Sequence, residues 1–206
     1  MLIWINGAFG AGKTTTAYEL RRRLPEAYVY DPENIGYFLR RNTPPQCHTP
    51  DFQDMPLWRR FNYETLRLIA DAYAAPVIVP MTLVSPAYYE EIIGRLRSEG
   101  VDVRHFVLCA SRETILKRLR ARNLRPSMMV GSVMKKESFA VSAIPRCLDF
   151  FDNYITEGKL PTDHMTVDEV VEAIAASCGL PLLPESRSAL KKTADRLGVL
   201  LEHIRR

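Results

Sequence analysis

The octet Gly7-Ala8-Phe9-Gly10-Ala11-Gly12-Lys13-Thr14 constrains this chain more than any other stretch. It is G-x-x-x-x-G-K-T, a loop whose glycines let the backbone turn its N–H groups inward around polyphosphate oxygens. Lys13 supplies a positive charge for the β- and γ-phosphates, and the Thr14 hydroxyl suits a position on Mg²⁺. Thr15 follows as a further candidate phosphate contact. The loop has the context it needs. Leu2-Ile3-Trp4-Ile5 is an apolar run that reads as a buried parallel strand. Thr14 to Leu24 reads as a helix whose N-terminus points its dipole at the loop. The expected ligand is ATP with Mg²⁺, held by Gly7, Ala8, Phe9, Gly10, Ala11, Gly12, Lys13, Thr14 and Thr15.

The rest of the chain alternates the two periodicities. Strands are expected at Ala27–Tyr30, Pro76–Pro80, Val103–Cys109 and Lys159–Thr162. Helices are expected at Ile35–Arg41, Leu57–Ala74, Pro86–Ser98 and Ser111–Arg122, then from Pro145 to Tyr154, from Thr166 to Cys178 and over 185–206. Ser85 with Pro86, and the box Thr166-Val167-Asp168-Glu169, are helix starts. This is an α/β pattern: a three-layer α/β/α fold on a five-stranded parallel sheet. One domain over 1–184 is expected, with a lid at about 123–145 and a separate amphipathic helix at 185–206. Thr43 to Pro56, with four prolines, reads as an irregular functional loop.

Composition excludes several classes. A net charge of +4 over 206 residues is no nucleic-acid signature. Cys47, Cys109, Cys147 and Cys178 lack metal or disulfide spacing and suit a reducing cytoplasm. No apolar run approaches the roughly 20 residues that span a bilayer.

Asp31 ends the second strand, on the edge where open α/β sheets bind ligands. It is the candidate to take an acceptor hydroxyl proton, or it is a turn residue before Pro32. The third strand lacks a terminal acid; Thr82 is the nearest polar group and is expected, with Asp31, to face the acceptor. Arg118 and Arg122 share one face of a basic helix end and suit the charge that develops on a transferring phosphoryl group, as does Arg146 beyond the lid. The alternative is a solvated helix terminus favoured by the dipole. Trp58 and Phe61, with Phe52 and Met55, line an acceptor pocket or belong to the core. In the last helix Leu190, Ala194, Leu197, Leu201 and Ile204 form an apolar stripe, and six basic side chains face three acidic ones. Such a helix lies on a membrane, packs on the body, or meets a second copy.

Several strings together resemble the bacterial tunicamycin-resistance ATP-binding protein family. They are Trp4-Ile5-Asn6-Gly7-Ala8-Phe9-Gly10, Tyr28-Val29-Tyr30-Asp31-Pro32-Glu33, Val79-Pro80-Met81-Thr82, Glu91–Arg97 and Leu116–Arg120. The likeness covers nearly the whole chain except 123–138. It implies a nucleoside-monophosphate-kinase-like fold, ATP on Gly7–Thr14, tunicamycin resistance, and peripheral attachment to the inner face of the membrane through the last helix. Related small kinases use an Asp after the second strand as base, which matches Asp31. They meet the adenine where Thr162 and Asp163 stand here. The implied activity is phosphoryl transfer to tunicamycin or a similar uridine-containing small molecule. Sequestration of the drug without transfer, or a kinase acting on a nucleotide sugar, are the alternatives.

Overall fold

The computed structural model describes the backbone of residues 1–123 and 139–204, with side chains to 121 and from 139 to 199. Five parallel strands form one sheet: β1 (Leu2–Gly7), β2 (Tyr28–Val29), β3 (Val77–Pro80), β4 (Val103–Cys109) and β5 (Lys159–Pro161), in the order β2-β3-β1-β4-β5. The registers run Leu2↔Val77, Leu2↔Val103, Tyr28↔Val77 and Val107↔Lys159. Between them lie α1 (Lys13–Arg23), α2 (Glu33–Asn42), α3 (Pro56–Ala72), α4 (86–98), α5 (Arg112–Asn123), α6 (Ile144–Asn153), α7 (Val167–Ser177) and α8 (Ala189–Ile204). The middle turn of α4, Glu90–Gly94, is wound as a π-turn.

Period-two alternation in β1 sends its residues to two cores. Leu2 and Trp4 face one side with Val77 and Val79, against Leu66 of α3, Ile92 and Ile93 of α4, Ile115 of α5 and Phe150 of α6. Ile3 and Ile5 face the other side with Ile78 and Phe106, against Ala17 and Leu20 of α1 and Val170, Val171 and Ile174 of α7. Every residue of β1 is buried, as a central parallel strand requires. The chain thus forms the expected three-layer sandwich.

Most element types fall where the pattern puts them, and β4 matches end to end. The differences have local causes. Only Tyr28–Val29 pair with β3, so the second strand is a short edge; Tyr30 then bonds back through its N–H to the Ile78 carbonyl. The Thr43–Pro56 loop contains two 3₁₀ turns, Pro45–Cys47 and Phe52–Asp54, the second capped by Asp51. The final helix starts at Ala189 instead of Glu185. Ser188 takes the cap position, its Oγ accepting from Lys191 N at 3.4 Å, and the Glu185 carboxylate is occupied by Arg187. The box at Thr166 forms in full with Glu169. The expected lid falls mostly at 124–138, outside the described residues.

Where the last helix rests was open in the sequence. In the structure it lies along α1, held by charge. Glu19 of α1, nearly buried, receives Arg22, Arg187 and Arg196; Asp168 of α7 receives Lys192 at 2.9 Å and Arg196 at 2.7 Å. Arg187 also meets Glu185 and Asp195. The hydrogen bonds from Arg187 hold the Glu185 carboxyl down at about 2. Glu19, Asp168 and Glu185 come together as an acidic cluster, and each is matched by these cations. Leu190, on the opposite side of the helix, is 85% exposed.

Candidate active site

The phosphate loop closes β1 and opens α1. Gly10 (φ +83°) and Gly12 (φ +104°) occupy backbone that a side chain would strain. α1 starts at Lys13 with no side-chain cap and no acid in its first turn. Its leading N–H groups and positive dipole end are therefore presented to an anion. Lys13 Nζ turns back onto the loop, donating to Gly7 O at 3.0 Å and Ala8 O at 3.1 Å, and sits 5.5 Å from the centre of the Phe9 ring. Phe9 in turn meets Phe139 edge to face, at 5.7 Å between centroids.

Buried amides and hydroxyls fix the loop to its neighbours. Asn6 is fully buried; its Nδ2 donates to Leu83 O at 2.8 Å while its Oδ1 accepts from Leu83 N and Gly7 N. The side chain thereby continues the β1–β3 pairing past the point where the backbones part. Nδ2 also reaches His105 Nε2 at 3.2 Å. Burial drives the His105 pKa down to about 3, so the ring is neutral and accepts this contact. Thr82 donates from Oγ1 to Gly7 O at 2.9 Å, and its own carbonyl accepts from Gln53 Nε2 at 3.1 Å. Thr82, expected to face the acceptor, is 97% enclosed and bonded to the phosphate loop instead.

Asp31 stands just beyond β2, buried, with Oδ1 accepting from Glu33 N at 3.0 Å and so starting α2. β3 lies between β2 and β1, so Asp31 is set about two strand spacings, roughly 10 Å, from the phosphate-loop strand. That gap suits an acceptor group together with a transferring phosphoryl. The end of β2 is held from behind. Trp58 Nε1 donates to Pro32 O at 3.0 Å, and Tyr30 Oη donates to Asn62 Oδ1 at 2.8 Å. Burial pushes the Tyr30 phenol up to about 12, so it remains a donor. Trp58 has no exposed surface and supports Asp31's turn rather than lining a pocket; Phe61 packs partly buried at the core's edge. These two side chains follow the core alternative left open by the sequence.

Arg118 reaches across from α5. Its Nη1 donates to Ala11 O at 3.2 Å and to Thr162 Oγ1 at 3.3 Å, and its Nη2 donates to Thr162 O at 2.7 Å. One planar fork thus ties the phosphate loop to the turn after β5. Thr162 is buried and bonds back to Cys109 O through both N and Oγ1. Ser111 caps α5, its Oγ accepting from Thr114 N at 3.2 Å, and Asp163 holds the cap: it accepts from Ser111 N and Oγ, and hydrogen bonds from Thr114 and then Ser111 hold its carboxyl below the usual range. The side chain of Arg122 lies outside the described residues. Beside this turn a cleft of about 310 Å³ opens between Ala8, Cys109, Ile115, Phe151 and Pro161.

Arg146, on α6, pairs with Asp51 through Nη2 at 3.4 Å. Asp51 and Gln53 escaped the sequence reading. Their one visible signal is that the proline-rich loop, 43–56, holds two acids and no Lys or Arg. Burial pushes the Cys147 thiol up, and the charges of Lys13, Arg146 and Asp51 act on it more weakly.

A phosphate loop on a central parallel strand, an uncapped helix start and an acid at the neighbouring edge define a P-loop nucleotide-binding protein of kinase-like fold. The sequence matches the AAA domain family model over residues 2–140. The structure is similar to that of the tunicamycin resistance protein of Deinococcus radiodurans, with a TM-score of 0.72 and 33% identity, over 89% of this chain and 98% of that one. The chain belongs to the tunicamycin-resistance ATP-binding protein family. Two more distant structures share the fold. The APS kinase CysC of Mycobacterium tuberculosis, 17% identical, has a TM-score of 0.57 over 86% of this chain and 96% of that one. The shikimate kinase of Bacteroides thetaiotaomicron, 18% identical, has a TM-score of 0.54 over 87% and 99%. No curated protein sequence matches the chain.

Proposed function

We propose that the protein is an ATP-dependent phosphotransferase acting on tunicamycin or a similar uridine-containing small molecule. The observation that carries this reading is the 33% identity to a tunicamycin resistance protein, spanning nearly all of both chains. The site supports transfer over simple binding because it offers both a phosphate loop and an acid at the acceptor edge.

The assignment of roles follows the chemistry. ATP lies on Gly7–Thr15, with Thr14 as the protein ligand that would hold Mg²⁺; the metal would neutralise the β- and γ-oxygens when bound. Lys13 leaves the Gly7 and Ala8 carbonyls for the phosphates. Arg118, already fixed on Ala11 and Thr162, flanks the nucleotide with Thr162 and Asp163 near the base. Asp31 accepts the proton of the attacking hydroxyl, and Lys13, Arg118, Arg122 and Arg146 stabilise the transferring group.

The tail belongs to the same proposal. α8 turns its charged side to α1 and α7 and leaves Leu190 and Ala194 exposed on the other. No described helix is long and apolar enough to cross a membrane. Exposed apolar side chains at Leu190 and Ala194 would suit an interfacial position at the inner face of the membrane, where an acylated drug partitions.

Incubating tunicamycin with the protein and Mg²⁺–ATP, followed by mass spectrometry, tests the reading. A gain of one phosphoryl group, absent with Asp31→Asn, is expected. Unmodified drug that binds only when ATP is present would replace transfer with sequestration.

A further inference from the structure

The proline-rich loop brings a carboxylate to the site that the phosphoryl-transfer roles above leave unused. Asp51 is only 8% exposed. Its Oδ1 is committed, accepting from Gln53 N at 3.0 Å, which fixes the direction of the carboxylate. Its Oδ2 has Arg146 at 3.4 Å, well beyond the roughly 2.7–2.9 Å of a strong charge-assisted bond. The Arg146 side chain is itself 55% exposed. A nearly enclosed carboxylate with a long, half-solvated cation on its remaining oxygen can exchange that partner at low cost.

The loop is anchored where such an exchange matters. Phe52 is seated against α2, where a Cβ on Gly36 would lie 2.6 Å from its ring, and it lies 5.5 Å from the Trp58 ring. Arg40 donates to the carbonyls of Thr49 and Pro50, and Arg59 to that of Gln53. Gln53 then reaches Thr82, and Thr82 the Gly7 carbonyl of the phosphate loop.

The charges around this loop also limit what can bind there. The loop contributes Asp51 and Asp54 and no cation. Among the described residues, the arginines that touch the loop's backbone are engaged: Arg40 on the Thr49 and Pro50 carbonyls, and Arg59 on Glu91 and Gln53. A phosphate-bearing acceptor would meet carboxylates here. A neutral acceptor rich in N–H and O–H groups would meet acceptors for them.

We propose that Asp51 is the carboxylate that recognises an N–H or O–H donor of a neutral acceptor, and that the donor displaces Arg146, which then turns to the transferring phosphoryl group. The acceptor-recognition part rests on the phosphotransferase reading; the release of Arg146 does not depend on which acceptor is used. Acceptor binding and arginine supply become one event, which discourages transfer to water while the site is empty of acceptor.

Two readouts separate this proposal from the reading beneath it. The first needs no acceptor. Asp51→Asn removes the charge that holds Arg146, so hydrolysis of Mg²⁺–ATP by water rises about threefold or more, and Asp51→Asn combined with Arg146→Gln loses the rise. The second uses calorimetry with tunicamycin and a non-hydrolysable ATP analogue. Asp51→Asn weakens drug binding about tenfold or more, because a neutral amide replaces a charged acceptor. In the wild type, uridine binds more tightly than uridine 5′-monophosphate. Hydrolysis that is unchanged or lower in Asp51→Asn overturns the release of Arg146. Tighter binding of the monophosphate overturns the neutral-acceptor assignment. A lowered denaturation midpoint without either effect makes Asp51–Arg146 a clasp of the loop and overturns the proposal. A wild type that binds neither drug nor uridine removes the drug-kinase reading, and the hydrolysis arm still decides the role of Asp51.

Discussion

Replacing Thr82 with Val tests how the phosphate loop releases its lysine. In the structure Gly7 O accepts two bonds, from Lys13 Nζ at 3.0 Å and from Thr82 Oγ1 at 2.9 Å. When Lys13 moves to the phosphates, Thr82 remains and the carbonyl stays satisfied. Val has nearly the shape of Thr and no donor. In the free protein Thr82→Val removes one bond from a carbonyl that keeps its lysine, a cost of about 1 kcal/mol. In the ATP complex the same carbonyl is left buried with neither donor, which costs about 1–3 kcal/mol. The difference falls on ligand affinity: up to about 2 kcal/mol, or up to about thirtyfold weaker binding of a non-hydrolysable ATP analogue. Thr82→Ser, which keeps the donor, restores most of it. Calorimetric titration measures the affinity and urea denaturation the stability of the free protein. Equal affinity in Thr82→Val and wild type, with a loss confined to the free protein's stability, would refute the claim that Lys13 leaves Gly7 O on binding.

Three other perturbations have defined outcomes. Gly36→Ala improves helix propensity by about 1 kcal/mol, yet its Cβ would sit 2.6 Å from the Phe52 ring at a cost of about 1–3 kcal/mol, so denaturation should show a net loss of up to about 2 kcal/mol. His105 is held neutral down to about pH 3 against an ordinary 6.5. The unfolded chain therefore binds a proton that the fold refuses, and stability falls as pH drops from 6.5 toward 3, by about 1.4 kcal/mol per unit at most from this group. His105→Gln should flatten that part of the pH–stability curve; an unchanged slope would contradict a buried neutral ring. Arg187→Ala removes partners from Glu19, Glu185 and Asp195 at once, and limited proteolysis should then cut near 184–190 faster while the rest of the chain resists.

The sequence disclosed what local spacing encodes. The phosphate loop, the all-buried β1, the cap at Thr166 and the limits of β4 each depend on residues within a few positions of one another. Asp31's place at the ligand-binding end of the sheet followed from its position just after the second strand. Trp58 and Thr82 show where such reasoning stops. Both sit beside the right loops, but whether a side chain points into a pocket or into the core depends on partners distant in sequence: Pro32 for Trp58, Gly7 for Thr82. Asp51 was hidden for the same reason, since its significance comes from Arg146, ninety-five positions away. The last helix was left open between membrane, body and second copy because the acids that match its basic face belong to α1 and α7, far away in sequence.

The central claim is that the γ-phosphoryl group of ATP goes to the drug. Following labelled γ-phosphate in a single incubation of protein, Mg²⁺–ATP and tunicamycin measures this directly. Label that moves with the drug, and fails to do so with Asp31→Asn, is the result the account predicts. Label found only in ATP or in inorganic phosphate, with the drug present and bound, would contradict it.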